Sequence, residues 1–437
     1  MIPADIIIQN GTVLTQDSCE RTYKDGAVAV RGNIIVGVGP SDEFRSWNAN
    51  TLIDAGGGII MPGLVNSHVH VPMSLFRGLA DDLPLLQWLN DHIFPAEAHH
   101  INPETVRIGA LLSSAEMILS GTTTFCDGYF FEHEVAMAVK ESGMRAVLGQ
   151  GVIDFPAPGV PNPNENIRHA STFARTWLEG WPSITPSIFC HSPYTCSAET
   201  LKSAKAAADS MGVLFQIHAC ETRNEWDRIN SEQGRTPIAY LDRLGLLDQN
   251  TLLAHVVWVD DYDIDILAER EAKVSHNPES NMKLASGIAP IPKMLNAGIT
   301  VGIGTDGCAS NNNLDLLQEM DTASKLHKVH ALDPTVMDSS TLLKMATIWG
   351  AQAVGLDDKI GSIEVGKEAD IIVIDTERPH LVPMYDPVSH IIYAVNGSDV
   401  RDVMVAGRIL LKDRKLLTLD VDKLLERVTL LEKSIKR

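Results

Sequence analysis

Apolar and polar positions alternate differently at the ends of the chain and in its middle. Short apolar runs with turn residues between them open the sequence, first in 5–15 (DIIIQNGTVLT) and then in 27–39 (AVAVRGNIIVGVG). Asn10-Gly11 and Gly32-Asn33 carry the composition of hairpin turns. The same texture returns in 369–375 (ADIIVID) and 402–411 (DVMVAGRILL). Strands at both ends around a different middle predict one small β-sandwich assembled from residues 1–58 and 363–437, the second part ending in a helix.

The middle repeats a unit. Strand-like apolar runs occupy 59–65, 122–126, 146–153, 184–190, 213–217, 252–254, 273–275 and 300–303. Between them lie segments of helical length and periodicity, such as 103–119 and 197–209, the latter opened by a capping Ser197. Eight β-then-α units over residues 59–362 fit a closed (β/α)8 TIM-like barrel of the α/β class better than an open doubly wound sheet.

Length agrees with that division, since 437 residues suffice for one large α/β unit plus a small accessory one. A formal net charge of -20 argues against nucleic acid or an anionic membrane as partner. Six cysteines without a Cys-x-x-Cys pair read as reduced thiols of a cytoplasmic protein. The N-terminus lacks the basic and apolar regions of a signal peptide, and no apolar run reaches membrane-spanning length, so a soluble, unprocessed protein is expected.

Candidate chemistry gathers where the predicted strands end. Catalytic groups of such barrels sit at the C-terminal ends of the strands. Those positions hold Ser67, His68 and His70 after the first strand, His191 after the fourth, His218 and Glu221 after the fifth, His255 after the sixth, His276 after the seventh, and Thr305 and Asp306 after the eighth. His68 and His70 are two apart on a strand and so share a face. With His218 and Asp306 they supply three imidazoles and a carboxylate, a set suited to one divalent ion, foremost Zn²⁺, with a position left for water. Glu221, three residues after a ligand, can reach that water; the competing readings are pairing with Arg223 or capping the next helix. For His255 the competing reading is a core histidine behind Leu252-Leu-Ala, and His276 reads equally as a structural loop residue or a substrate contact. The glycines of 302–307 (GIGTDG) lack P-loop spacing and read as points of close backbone approach to the metal centre.

With these residues in view the chain resembles the amidohydrolase superfamily, and within it the methylthioadenosine/S-adenosylhomocysteine deaminases. The resemblance spans nearly the whole length, through 62–70 (PGLVNSHVH), 94–97 (FPAE), 191–194 (HSPY), 218–221 (HACE), the His255 strand, 275–278 (SHNP) and 304–312 (GTDGCASNN). It implies His68, His70, His218 and Asp306 as metal ligands, Glu221 as proton carrier and His255 as the residue orienting the attacking hydroxide. Glu97 and His191 match positions that contact the nucleoside, Glu97 through the ribose hydroxyls. Binuclear relatives carry a bridging Lys where this chain has His191, which implies a single metal ion.

The expected reaction is hydrolytic deamination of adenine nucleosides by a metal-activated water, with Asp306 helping to move a proton to the departing ammonia. A carboxylate such as Glu97 suits a vicinal diol and repels a phosphate, so nucleosides are expected and nucleotides are not. Arg145 and Arg168 are candidates for a remote substrate carboxylate. Guanine, pterin or triazine aminohydrolase or chlorohydrolase activity is the alternative on the same scaffold, and a metal-free binding barrel is the alternative of a different class. Homo-oligomerisation is the default expectation.

Overall fold

Eight parallel strands form the centre of the molecule in the computed structural model, which describes residues 2–435. Residue 1 and residues 436–437, the extremities of the two predicted sandwich segments, lie outside the described residues. The barrel strands are Leu64–Val69, Thr122–Tyr129, Arg145–Val152, Ile184–Cys190, Leu214–Ala219, Thr251–His255, Lys273–His276 and Val301–Ile303. They neighbour one another in chain order, as in a barrel rather than a doubly wound sheet. The intervening helices include Pro103–Leu119, capped by Asn102, and Ala198–Met211, capped by Ser197 as its sequence predicts. Most of these strands are buried along their whole length, which accounts for their continuous apolar runs.

The first and eighth strands meet through side chains and loop backbone. Asn66 Nδ2 donates to Thr305 Oγ1 at 2.8 Å, Thr305 N donates to Asn66 Oδ1 at 3.1 Å, and Asp306 N donates to the His68 carbonyl at 3.0 Å. Gly304 allows this approach, because a Cβ there would lie 2.7 Å from His68 N. The backbone of the eighth strand's end is thereby fastened to that of His68.

Strands from both chain ends build a separate nine-stranded mixed sheet. Its N-terminal and C-terminal parts also meet at a turn: Ala369 N donates to Asn33 O at 2.8 Å, and a Cβ on Gly407 would fall 2.0 Å from the Gly32 carbonyl oxygen. Val28, Val30 and Ile35 thereby share a core with Ile371, Val373 and Met404. A helix, Val421–Ile435, follows the last strand.

Three sequence expectations need correction. The run at 59–65 is two strands: Ile59–Pro62 pairs antiparallel with Ile371–Ile374 in the mixed sheet, and only Leu64–Val69 enters the barrel. Gly63, where a Cβ would clash with Thr123 at 2.1 Å, marks the passage from one sheet to the other. Asn10-Gly11 makes no hairpin; Asn10 has φ 62° inside the strand Ile2–Leu14, and the register shifts there as a bulge. Gly32-Asn33 does close a hairpin, between Thr22–Arg31 and Ile34–Pro40. Arg145, offered as a remote carboxylate binder, starts the third barrel strand at the end away from the histidines. Its buried guanidinium bonds Asp370 at 2.8 Å and Glu368 at 2.6 Å, tying the barrel to the mixed sheet.

Candidate active site and metal centre

Three imidazoles and one carboxylate converge at the C-terminal mouth of the barrel. His68 and His70 leave the end of the first strand, His218 the fifth, and Asp306 the loop after the eighth. His218 Nε2 lies 3.1 Å from His68 Nε2 and 3.2 Å from His70 Nε2. Asp306 Oδ1 lies 3.5 Å and 3.4 Å from the same two nitrogens. Ligands about 2.1 Å from a central zinc ion at tetrahedral angles are about 3.4 Å apart, so this spacing fits such an ion.

Electrostatics and second partners prepare the same atoms. Burial drives His70 down to about 3 and His218 well below its ordinary value, which keeps both rings neutral with a lone pair free. The Gly128 carbonyl, 2.7 Å from His70 Nδ1, can only accept, so the proton sits on Nδ1 and Nε2 faces the centre. Asp306 Oδ2 accepts from Ser280 Oγ at 2.6 Å and Ser310 Oγ at 2.8 Å, leaving Oδ1 toward the histidines. Despite burial, the hydrogen bond with His68 and the nearby imidazoles hold the Asp306 carboxyl well below the usual range. His255 at φ 75° and Asp306 at φ 60° occupy left-handed backbone, a conformation costing about 1–3 kcal/mol per residue that the surrounding bonds must enforce.

Glu221 and His255 stand beside the converging set. Neither competing occupant takes the Glu221 carboxylate: Arg223 pairs with Asp227 at 3.0 Å, and Thr222 caps the helix Arg223–Gln233. Glu225 grips the turn from below, accepting from Cys220 N at 2.8 Å and Glu221 N at 3.0 Å. Burial raises the Glu221 carboxyl. His255 is buried with its ring centroid 5.7 Å from that of His68 and 5.4 Å from that of His218, so it faces the centre and is no isolated core histidine. Its Nδ1 bonds Asn281 Oδ1 at 2.9 Å. Burial opposes protonation of His255, yet the charges of Glu221 and Asp306 outweigh it and raise its pKa.

A cleft opens in front of these groups. His70, His218, Glu221, His255 and Asp306 line one part of it; Glu97 and His191 line another. Glu97 comes from the helix Phe94–His100, part of the excursion that follows the first strand. Tyr129 OH donates to Glu97 Oε1 at 2.5 Å, and burial pushes the carboxyl up to about 7. His191 Nδ1 bonds Thr195 Oγ1 at 2.9 Å, and burial lowers the ring to about 4.

Other predicted residues stand outside the cleft. His276 is buried with Nε2 3.0 Å from His327 Nε2, a packing partner. Ser67 bonds Ser275 at 2.6 Å and Thr305 bonds Asn66, both inside the barrel. Arg168 is exposed and paired with Glu165. Sequence reasoning missed Tyr129, Asn281, Ser280 and Ser310. The second strand runs three residues past its predicted end at Cys126, and that extension carries Tyr129 to the mouth. An aromatic residue following Asp127-Gly128 was the available signal.

Comparisons with known proteins agree on the family. The model of the amidohydrolase family matches residues 59–410. The chain is 48% identical over 434 residues to a 5-methylthioadenosine/S-adenosylhomocysteine deaminase of Syntrophobacter fumaroxidans, covering 99% of each chain. It is 46% identical over 403 residues to a 5'-deoxyadenosine deaminase of Methanothermobacter thermautotrophicus, covering 92% of each. Among solved structures, an adenosine deaminase from Xanthomonas campestris with bound zinc superposes with a TM-score of 0.97 at 38% identity, covering 100% of this chain and 99% of the other.

Proposed function

The chain belongs to the amidohydrolase family, and from that premise we propose that it is a hydrolytic deaminase of adenine nucleosides, releasing ammonia and the inosine analogue. One observation carries the reading. His70, His218 and Asp306, three of the four clustered donors, share one cleft with the buried carboxyl of Glu221 and the carboxyl of Glu97, the described lining residues include no Lys or Arg, and His68 packs against the same donors.

His68, His70, His218 and Asp306 hold one zinc ion per chain in this account. Zinc, when bound, supplies the Lewis acidity that makes a water molecule nucleophilic near neutral pH. Glu221, its backbone N–H held at the turn by Glu225, takes the water proton and delivers it to the ring nitrogen beside the amino-bearing carbon. His255, its ring fixed by Asn281, donates a hydrogen bond to the attacking oxygen. Asp306 passes the second water proton to the leaving amine, so water and amine become ring carbonyl and ammonia. Glu97 accepts from the ribose hydroxyls, and His191 contacts the base through Nε2, its Nδ1 being engaged by Thr195. An anionic 5′-phosphate finds no cation in this lining, which supports nucleosides over nucleotides.

The six cysteines are free thiols, which supports a cytoplasmic site of action, and a homo-oligomer is the assembly this reading adopts. No helix among the described residues is long and apolar enough to cross a membrane. The test is ammonia release by the zinc-loaded protein across adenine nucleosides, guanine, pterins and triazines. Turnover confined to adenine nucleosides is expected; none from any of them overturns the proposal.

A further inference from the structure

Past Glu97 the cleft changes character. The excursion after the first strand contributes Leu85, Trp88, Leu89 and Phe94, and the loops after the second and third strands contribute Phe130 and Phe155. Phe94 and Phe155 meet edge to face, with ring centroids 5.5 Å apart, and join the two walls. Among the described lining residues the carboxylates are Glu97, Glu221 and Asp306, and none carries a Lys or Arg cation. With the base at the histidines and the ribose at Glu97, a 5′ substituent extends against this aromatic wall.

Relatives' names cover three adenosine derivatives that differ only beyond the 5′ carbon: a 5′-deoxy methyl, a methylthio group, and the homocysteine tail with its ammonium and carboxylate. The first two are apolar, and a thioether sulfur packs favourably against aromatic edges. The third must place a carboxylate where it loses water and gains no partner. Arg228 lines an adjoining groove on the other side of Phe94, Phe155 and Tyr194. Its Nε already bonds Glu232 Oε1 at 3.0 Å, and its guanidinium sits 6.0 Å from the Tyr194 ring.

We propose that this cleft selects adenine nucleosides with a short apolar 5′ group, methylthio or deoxy, and rejects the charged amino-acid tail of S-adenosylhomocysteine. The inference rests on the deaminase reading above and narrows its substrate class. The experiment compares kcat/KM for ammonia release from 5′-deoxyadenosine, methylthioadenosine and S-adenosylhomocysteine in the zinc-loaded full chain and in the variants Ala157→Arg and Arg228→Ala. Ala157 lines the cleft beside Phe155 on a partly exposed loop, so Arg there offers the missing cation. The two apolar substrates are expected within about tenfold of each other, with S-adenosylhomocysteine about 100-fold lower or worse, as an unpartnered buried charge dictates. Ala157→Arg narrows that gap, and Arg228→Ala leaves the ratios unchanged. S-adenosylhomocysteine used as well as methylthioadenosine, or lost selectively in Arg228→Ala, overturns the inference. Absence of ammonia from all three nucleosides overturns the deaminase reading instead.

Discussion

Replacing Glu97 by Gln should make the protein more stable at alkaline pH while impairing its work. Glu97 is only 6% exposed, and its carboxyl is pushed up by burial to about 7 from an ordinary 4.5, with the Tyr129 hydroxyl opposing. The folded state therefore holds this proton more tightly than the unfolded chain does. Below about pH 4.5 both states are protonated and the residue costs nothing. As pH climbs toward 7 the unfolded chain ionises and the folded one resists, so stability is lost through that window and the loss is complete above it. The difference between 4.5 and about 7, at about 1.4 kcal/mol per tenfold change in proton affinity, amounts to about 3 kcal/mol. Gln has the same shape, keeps an oxygen for Tyr129 and carries no titrating group. Urea denaturation of both proteins from pH 5 to pH 8.5 should show Glu97→Gln gaining on the parent by up to about 3 kcal/mol, nearly all of it by neutral pH. The same variant should show a raised KM for nucleosides, because the diol loses its anionic acceptor. A stability difference that stays flat with pH would refute the claim that Glu97 is a strained buried acid kept for binding.

Glu221→Gln should retain zinc by metal analysis and lose about 1000-fold in kcat, the scale of a removed general acid-base group; near-normal turnover would remove Glu221 as proton carrier. Arg145→Met strands the Asp370 carboxylate in the interface between barrel and sheet, so denaturation should show a loss of about 3–5 kcal/mol with kcat/KM unchanged in the folded fraction. Tyr129→Phe takes away the donor that lowers Glu97, so the alkaline loss of stability should deepen in pH-dependent unfolding, whereas an unchanged pH profile would separate the two residues.

The barrel was legible because its strands are buried on both faces and read as bare apolar runs, each ending in a polar residue at the mouth. That rule put His68, His70, His218 and His255 at the mouth, where the structure brings them together, but it picked out His276 equally, and the roles came from the family resemblance. The split at Gly63 escaped it, since an apolar run states that a segment is buried but not against which sheet, and the partner of Ile59–Pro62 lies some 310 residues away in Ile371–Ile374. Arg145 misled for a related reason: a charge beside an apolar strand reads the same at either end of the barrel, and only the tertiary pairing with Asp370 shows which. Glu97 sits on a helical excursion with no strand end to mark it, so its place rested on the family resemblance. Tyr129 was lost because a strand's length is set by its neighbours' pairing, here with Gln150, more than by its own composition.

The most direct test of the account is a zinc titration of metal-free protein, followed by ammonia release from methylthioadenosine. The account predicts no turnover without metal and a linear rise that saturates at one zinc per chain. Saturation at two, or ammonia release that does not depend on zinc, would contradict a single ion held by His68, His70, His218 and Asp306.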